Sequence, residues 1–76
     1  MDLGPDYVAL GDALKRLREA RGLTQTQAAE QIDVSQQTVS MAEQGARGLR
    51  WDTLLRFLEV YRADLAKLGR EIKKAS

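Results

Sequence analysis

The chain has 76 residues, the size of one small domain with a modest hydrophobic core. It contains no cysteine and no histidine, which excludes disulfides, the usual zinc sites and imidazole catalysis, so no metal or cofactor is expected. The net charge is +1: residues 1–34 carry four basic and six acidic side chains, and residues 35–76 carry eight and five. This asymmetry is too weak to indicate a nucleic-acid partner by itself.

The longest apolar run falls far short of the ~20 residues that a transmembrane helix needs. The acidic start, Met-Asp-Leu-Gly-Pro-Asp-Tyr, lacks the basic residues that open a signal peptide. A cytoplasmic protein without membrane contact is therefore expected. No segment alternates apolar and polar residues as a half-buried strand does, and the periodic segments predict an all-α fold in one domain, residues 1–76.

The first predicted helix runs from about Tyr7 to Arg21, with Asp6 as a candidate N-cap. Its core stripe follows the i, i+4, i+7 spacing with Leu10, Leu14 and Leu17. Gly22 follows the last helical residue and supplies the left-handed conformation that ends many helices.

A second helix begins at Thr24, because Thr24 and Gln27 have the spacing of a capping box. It ends near Asp33, and Ser35 is the N-cap of a third helix that ends at Gly45. Two helices joined by so short a turn form a helix-turn-helix pattern. The residues expected to face inward are small or apolar: Ala28, Ala29, Ile32, Val34, Val39 and Ala42.

A fourth helix is predicted from Trp51 to about Arg62. Arg50 is a poor cap for it, although Asp52 in its first turn suits the helix dipole. Its apolar face holds Trp51, Leu54, Leu55, Phe57, Leu58 and Tyr61, and Trp51 is expected in the core.

The fifth predicted helix begins with Asp64 as its N-cap. Its apolar stripe is narrow and consists of Leu65, Leu68 and Ile72. Gly69 weakens the middle of this helix.

The outward face of the third helix is uncharged and rich in hydrogen-bonding groups. At about 100° per residue this face holds Gln36, Gln37, Ser40, Met41 and Gln44. A face that is merely solvated would more often carry lysine and glutamate. Glutamine can pair bidentately with adenine and methionine can contact the thymine methyl group, so Gln36, Gln37, Ser40 and Met41 are predicted to read DNA bases.

Contacts to the DNA backbone are expected from polar groups around this face. The expected set is Thr24, Gln25, Ser35, Gln44, Arg47 and Arg50. Gln25 lies at the N-terminus of the second helix, where free backbone amides attract a phosphate. The alternative for Gln25 and the two arginines is ordinary solvated surface.

The ordered set of motifs resembles the Cro/CI-type, or Xre-like, helix-turn-helix family over about residues 10–68. The matching residues are Leu17-Arg18, Arg21-Gly22-Leu23-Thr24-Gln25, Ala29, Val34-Ser35, Val39-Ser40, Glu43, Gly45 and Asp52-Thr53-Leu54-Leu55. The resemblance implies a compact five-helix, lambda-repressor-like domain that binds double-stranded DNA, usually as a dimer that regulates transcription. It also implies a structural ion pair between Arg18 and Glu43. Residues 69–76 extend the last helix beyond the family-like part.

The chain departs from the family pattern at three positions. Asp33 stands where glycine is usual, and aspartate tolerates the left-handed conformation better than most residues. Ala42 is smaller than the usual leucine or isoleucine, which leaves volume for Trp51 or Phe57. Arg50 replaces the usual cap of the fourth helix, which indicates a role other than capping.

One recognition helix reads too few base pairs to select a genomic site, and dimers of this kind bind half-sites about 34–36 Å apart. A homodimer on a palindromic or pseudo-palindromic operator is therefore expected. Because the third helix must stay free for DNA, the predicted interface lies in the C-terminal part: Leu49, Arg50, Leu65, Leu68 and Ile72.

These observations favour a dimeric transcriptional repressor. The alternatives are an antitoxin that represses its own operon, with a toxin as partner, and a protein-interaction module that does not read DNA. An enzyme has almost no support, because no nucleophile–base set, metal cluster or phosphate loop stands out.

Overall fold

A computed structural model describes residues 4–46 and 48–75 of the chain. Within these ranges the protein is built from α-helices alone, as the periodicity predicted. The five helices are α1 (Gly4–Ala20), α2 (Gln25–Ile32), α3 (Gln36–Gln44), α4 (Trp51–Tyr61) and α5 (Leu65–Ala75). None of the described helices is long and apolar enough to cross a lipid bilayer.

Side-chain caps start α2, α3 and α5 at the predicted residues. Thr24 and Gln27 form the complete capping box, in which the Gln27 N–H donates to Thr24 Oγ1 at 3.1 Å and Gln27 Oε1 accepts from the Thr24 N–H at 2.9 Å. Ser35 caps α3 by accepting from the Thr38 N–H at 3.1 Å. Asp64 Oδ1 accepts from the Lys67 N–H at 2.7 Å and caps α5 in the same way.

Two helix ends differ from the prediction. α1 starts at Gly4 rather than Tyr7, so Asp6 lies within the first turn and is not its N-cap. Pro5 is tolerated there, because the first amides of a helix have no intrahelical acceptor. α3 ends before Gly45 as predicted, but Gly45 has φ of 167° and is extended rather than left-handed. At the end of α1, by contrast, Gly22 is left-handed with φ of 71°.

The core lies among all five helices, with α1 packed against α3 and α5, and α2 packed against α3 and α4. Its largest fully buried side chains are Tyr61, Phe57, Leu14, Ile32 and Val39. The rings of Phe57 and Tyr61 meet edge to face, with centroids 6.0 Å apart. This core holds the back of the helix-turn-helix unit and leaves the outer face of α3 open.

The expectation that Trp51 lies in the core is wrong. Trp51 is 61% exposed, so its ring does not fill the volume next to Ala42. The backbones of α1 and α3 come close together near this residue. A Cβ added to Gly11 of α1 would lie 2.7 Å from the Ala42 carbonyl oxygen and 2.8 Å from that of Glu43. A residue without a side chain is needed at Gly11, because the backbones of α1 and α3 nearly touch there.

Candidate nucleic-acid interface

The turn between α2 and α3 is held by its own backbone and by α4. Asp33 adopts the left-handed conformation with φ of 66°, and the Val34 N–H donates to the Ala29 carbonyl at 3.0 Å. Arg56 of α4 donates from Nη2 to the carbonyl oxygens of Ile32 and Asp33, the latter at 3.1 Å. A cation thus caps the negative end of α2, which fixes the turn that sets the direction of α3.

A buried ion pair joins α1 to α3, as the resemblance implied. Arg18 Nε lies 2.6 Å from Glu43 Oε2, and Arg18 Nη2 lies 3.1 Å from Oε1. Arg18 also donates from Nη1 to the Leu23 carbonyl at 2.7 Å. The hydrogen bonds with Glu43 raise the pKa of Arg18, against the lowering effect of burial. The bidentate geometry fixes the Glu43 carboxylate in one orientation.

This carboxylate organises two glutamines at the surface. A carboxylate only accepts hydrogen bonds, so Gln25 turns its amide nitrogen toward Glu43, with Nε2 at 3.1 Å from Oε1. Gln25 Oε1 is then left to accept from Nε2 of Gln36 at 3.1 Å. The chain of bonds Arg18–Glu43–Gln25–Gln36 therefore runs from the core to the first residue of α3. It leaves Gln36 with its amide oxygen and its second N–H for a partner outside the protein.

The four predicted base-reading side chains lie on one face of α3. Gln36, Gln37 and Met41 are exposed, Met41 at 59%, while Ser40 is half-buried. Gln44 is exposed and donates from Nε2 to Ser40 Oγ at 3.3 Å. This face has donors, acceptors and one apolar side chain but no charge.

The sequence of the chain matches the family model described as "Helix-turn-helix domain" over residues 9–70. The chain belongs to this helix-turn-helix family. The family is one of the Cro/CI-like, or Xre-like, group, and its domains bind DNA. A search of curated proteins found no sequence that matches this chain.

The helix-turn-helix domain uses several of the predicted backbone-contact residues internally. Thr24 and Ser35 are exposed, but their hydroxyl groups cap α2 and α3. Gln25 is half-buried and bonded at both ends of its amide, so it supports Gln36 and does not extend freely toward a phosphate. Arg50 is exposed and pairs with Asp52, with Nε 3.3 Å from Oδ1. The prediction for Arg47 falls outside the described residues.

The predicted dimer-interface residues of the helix-turn-helix domain have unequal access to a partner. Leu68 is only 5% exposed and belongs to the core, because it lies on the side of α5 that faces α1. The assignment of Leu68 to an interface is therefore wrong. Leu49 and Ile72 are half-buried and pack against the core. Leu65, at 52% exposure, and Arg50 are the members that stand open to solvent.

Sequence reasoning missed two residues that hold α3 and the preceding turn in place. One is Gly11, whose only signal was a glycine inside a helix of good helix formers. The other is Arg56, a single cation in the middle of the largely apolar segment Trp51–Tyr61. The link from Gln25 to Glu43 and Gln36 was also missed, although the residue types were recognised.

Proposed function

We propose that this protein is a sequence-specific transcriptional repressor that binds an operator as a homodimer and reads it with α3. The observation that supports this proposal is the fixed orientation of the Gln36 side-chain amide. Its amide is held by Gln25, which is held by the buried Glu43, so its remaining donor and acceptor have a fixed direction. A glutamine amide with one donor and one acceptor matches the N7 and N6 groups of adenine in the major groove.

The rest of the outer face fits the same reading. Gln37 lies beside Gln36, and Met41 offers an apolar contact to a thymine methyl group one turn further along α3. The backbone amides at the N-terminus of α2 are suited to phosphates, which set register rather than sequence. A repressor follows most simply, because a small domain that occupies promoter DNA blocks polymerase without any further surface. Such a protein acts in the cytoplasm with its DNA.

Two copies are part of the proposal. One copy of α3 covers only a few base pairs, and a palindromic or pseudo-palindromic operator brings two recognition helices to successive major grooves about 34–36 Å apart. The longest dimension of the described chain is 35 Å, so neighbouring copies on such half-sites are within reach of each other.

The experiment begins with selection of binding sites from random-sequence duplex DNA. Gln36→Ala and Gln37→Ala should each weaken binding to the selected site by about 1–3 kcal/mol and leave binding to scrambled DNA nearly unchanged. Gln31→Ala is the matched control, because Gln31 is an exposed glutamine of α2 outside the α3 face. Normal binding of both α3 variants to the selected site would refute base reading by this face.

Repression is tested separately by transcription in vitro. A promoter that overlaps the selected site should be silenced by the wild type and not by Gln36→Ala at the same protein concentration. An increase in transcript would assign the protein as an activator instead.

A further inference from the structure

Three large apolar side chains that are exposed to solvent lie together on one side of α4 and at the start of α5. Trp51 is 61% exposed, Leu55 41% and Leu65 52%. In the described part of the chain the other exposed large apolar residues, Val8 and Met41, belong to α1 and to the DNA-reading face. Trp51 and Leu55 are four residues apart and thus neighbours on one helix face. A tryptophan held so far out of the core marks a surface for a partner.

A cleft between α4 and α5 continues this surface. It is open, has a volume of about 560 Å³ and is lined by Leu55, Leu58 and Leu65 together with Ala63 and Ala66. The same cleft has two acidic residues in its lining, Glu59 and Asp64. The cleft therefore combines an apolar floor with negative charge, and it lies one to two helical turns from Trp51.

We propose that this surface joins two copies of the chain, with Trp51 of each copy docked in the α4–α5 cleft of the other. The charges match, because Arg50 precedes Trp51 with a side chain 80% exposed and would meet the acidic Glu59 and Asp64 of the second copy. The arrangement is also self-complementary. Trp51 and the cleft share one side of α4, so a two-fold axis near Leu55 lets both tryptophans dock at once and closes the assembly at two copies.

The available area predicts a weak interface. A Trp ring and two leucine side chains at these exposures offer on the order of 300 Å² per copy, against about 800 Å² per partner in a standard interface. Free protein should therefore dimerise only at high concentration, and DNA that holds two copies side by side should strengthen the contact. The inference rests on the proposed function in this respect, because a two-fold operator is what makes so small an interface sufficient.

Trp51 is the sole tryptophan and therefore reports on its own docking. We expect its fluorescence emission to shift to shorter wavelength as the protein is concentrated from about 5 to about 500 μM, in step with dimer formation in sedimentation velocity. Leu65→Lys, a change at an exposed position, should abolish the shift and raise the dimer dissociation constant by about 30-fold or more. Val8→Ala is the control, because Val8 is an exposed apolar residue of α1, and it should behave as the wild type.

A charge exchange tests the orientation. Arg50→Glu should weaken the dimer at least about tenfold, and Glu59→Arg should do the same. The double variant should recover most of the wild-type affinity only if the two side chains meet across the interface. Two additive losses without recovery would overturn the docking geometry.

Solution experiments without DNA separate this inference from the proposed function. A protein that stays monomeric at about 500 μM with unchanged emission, or a dimer that survives Leu65→Lys, would overturn the interface, whatever its binding to DNA. A dimer with the expected fluorescence shift that fails to prefer any selected DNA site would uphold the interface and refute the repressor.

Discussion

The hydroxyl group of Tyr61 is a polar group buried in the core. Tyr61 is 2% exposed, and its oxygen has no hydrogen-bond partner within the described part of the chain. Burial raises the pKa of Tyr61 far above its usual value, with a further rise from Glu43 and an opposing effect from Arg18. The phenol therefore keeps its proton in the folded protein at pH values where the unfolded chain releases it.

This difference predicts a loss of stability in base. The contribution of Tyr61 to the free energy of unfolding is complete below its unfolded pKa of about 10. It decreases above that pH, since the unfolded state then binds fewer protons than the folded state. We expect Tyr61→Phe to match or exceed the wild-type stability at pH 7, because it removes an unpaired hydroxyl group and little volume. Between about pH 9 and pH 11 the variant should lose less stability than the wild type. Urea unfolding of both proteins at about pH 9 and about pH 11 measures this difference. Equal losses of stability in the wild type and the variant would show that the hydroxyl group is hydrated.

Two arginines of this chain form ion pairs that differ in their burial. The side chains of Arg18 and Glu43 are 9% and 4% exposed, whereas those of Arg50 and Asp52 are 80% and 68% exposed. Arg18→Ala should lower the free energy of unfolding by about 3–5 kcal/mol, because it leaves a buried carboxylate without its cation. Arg50→Ala, the matched control, should lower it by less than about 1 kcal/mol. Thermal melts of dilute protein make the comparison, and similar values for the two variants would contradict the structural role of the buried pair.

At the scale of the helices, two glycines that both lie inside a helix should respond in opposite ways to substitution by alanine. Gly11 lies inside α1 against the α3 backbone, and Gly69 lies inside α5, where an added Cβ would have no atom of another described residue within 4 Å. Gly69→Ala should stabilise the protein by about 0.5–1 kcal/mol through helix propensity. Gly11→Ala should destabilise it by about 1–3 kcal/mol despite the same gain, because the helices must move apart. Urea unfolding of both variants tests this, and stabilisation by Gly11→Ala would mean that α1 can shift without loss.

The helices themselves could be predicted because their signals are local. Thr24, Ser35 and Asp64 cap their helices through bonds within three residues, and such bonds can be read along the chain. The contact of Gly11 with α3 and the exposure of Trp51 depend on how distant helices meet. A helix that is apolar around most of its circumference, as α4 is, does not reveal which side faces the core.

The same distinction applies to the candidate site. The periodicity of α3 is enough to place Gln36 and Gln37 on its outer face, because one helix determines that face. The role of Gln25 is set by bonds to residues 18 and 11 positions away, which form only when α2 and α3 cross. Sequence reasoning therefore identified the outer face of α3, for which base reading is proposed, but not the connection that holds it to the core.

For the molecule as a whole, the charge distribution predicts how DNA binding depends on salt. The net charge is +1, and the residues proposed to contact DNA are mostly uncharged glutamine, serine and threonine side chains. Of the two arginines expected near the DNA backbone, Arg50 is assigned to the contact between copies, so Arg47 is the cation left for a phosphate. Each neutralised phosphate releases counterions and contributes about −0.9 to the slope of log affinity against log salt. We therefore expect a slope of about −1 for each bound copy, and a dimer slope of about −2.

Fluorescence anisotropy with a labelled duplex that carries the selected site measures this slope between about 50 and 200 mM NaCl. Arg47→Ala should make it shallower by about one unit per copy, since one phosphate contact is lost. Lys67→Ala is the control, because Lys67 is an exposed cation of α5 outside the proposed DNA surface, and it should leave the slope unchanged. A wild-type dimer slope near −8, reduced by Lys67→Ala, would instead bring the basic side of α5 to the DNA backbone. The dimer would then have to form through another face, because α5 cannot lie along the phosphates while its first turn is covered by a second copy.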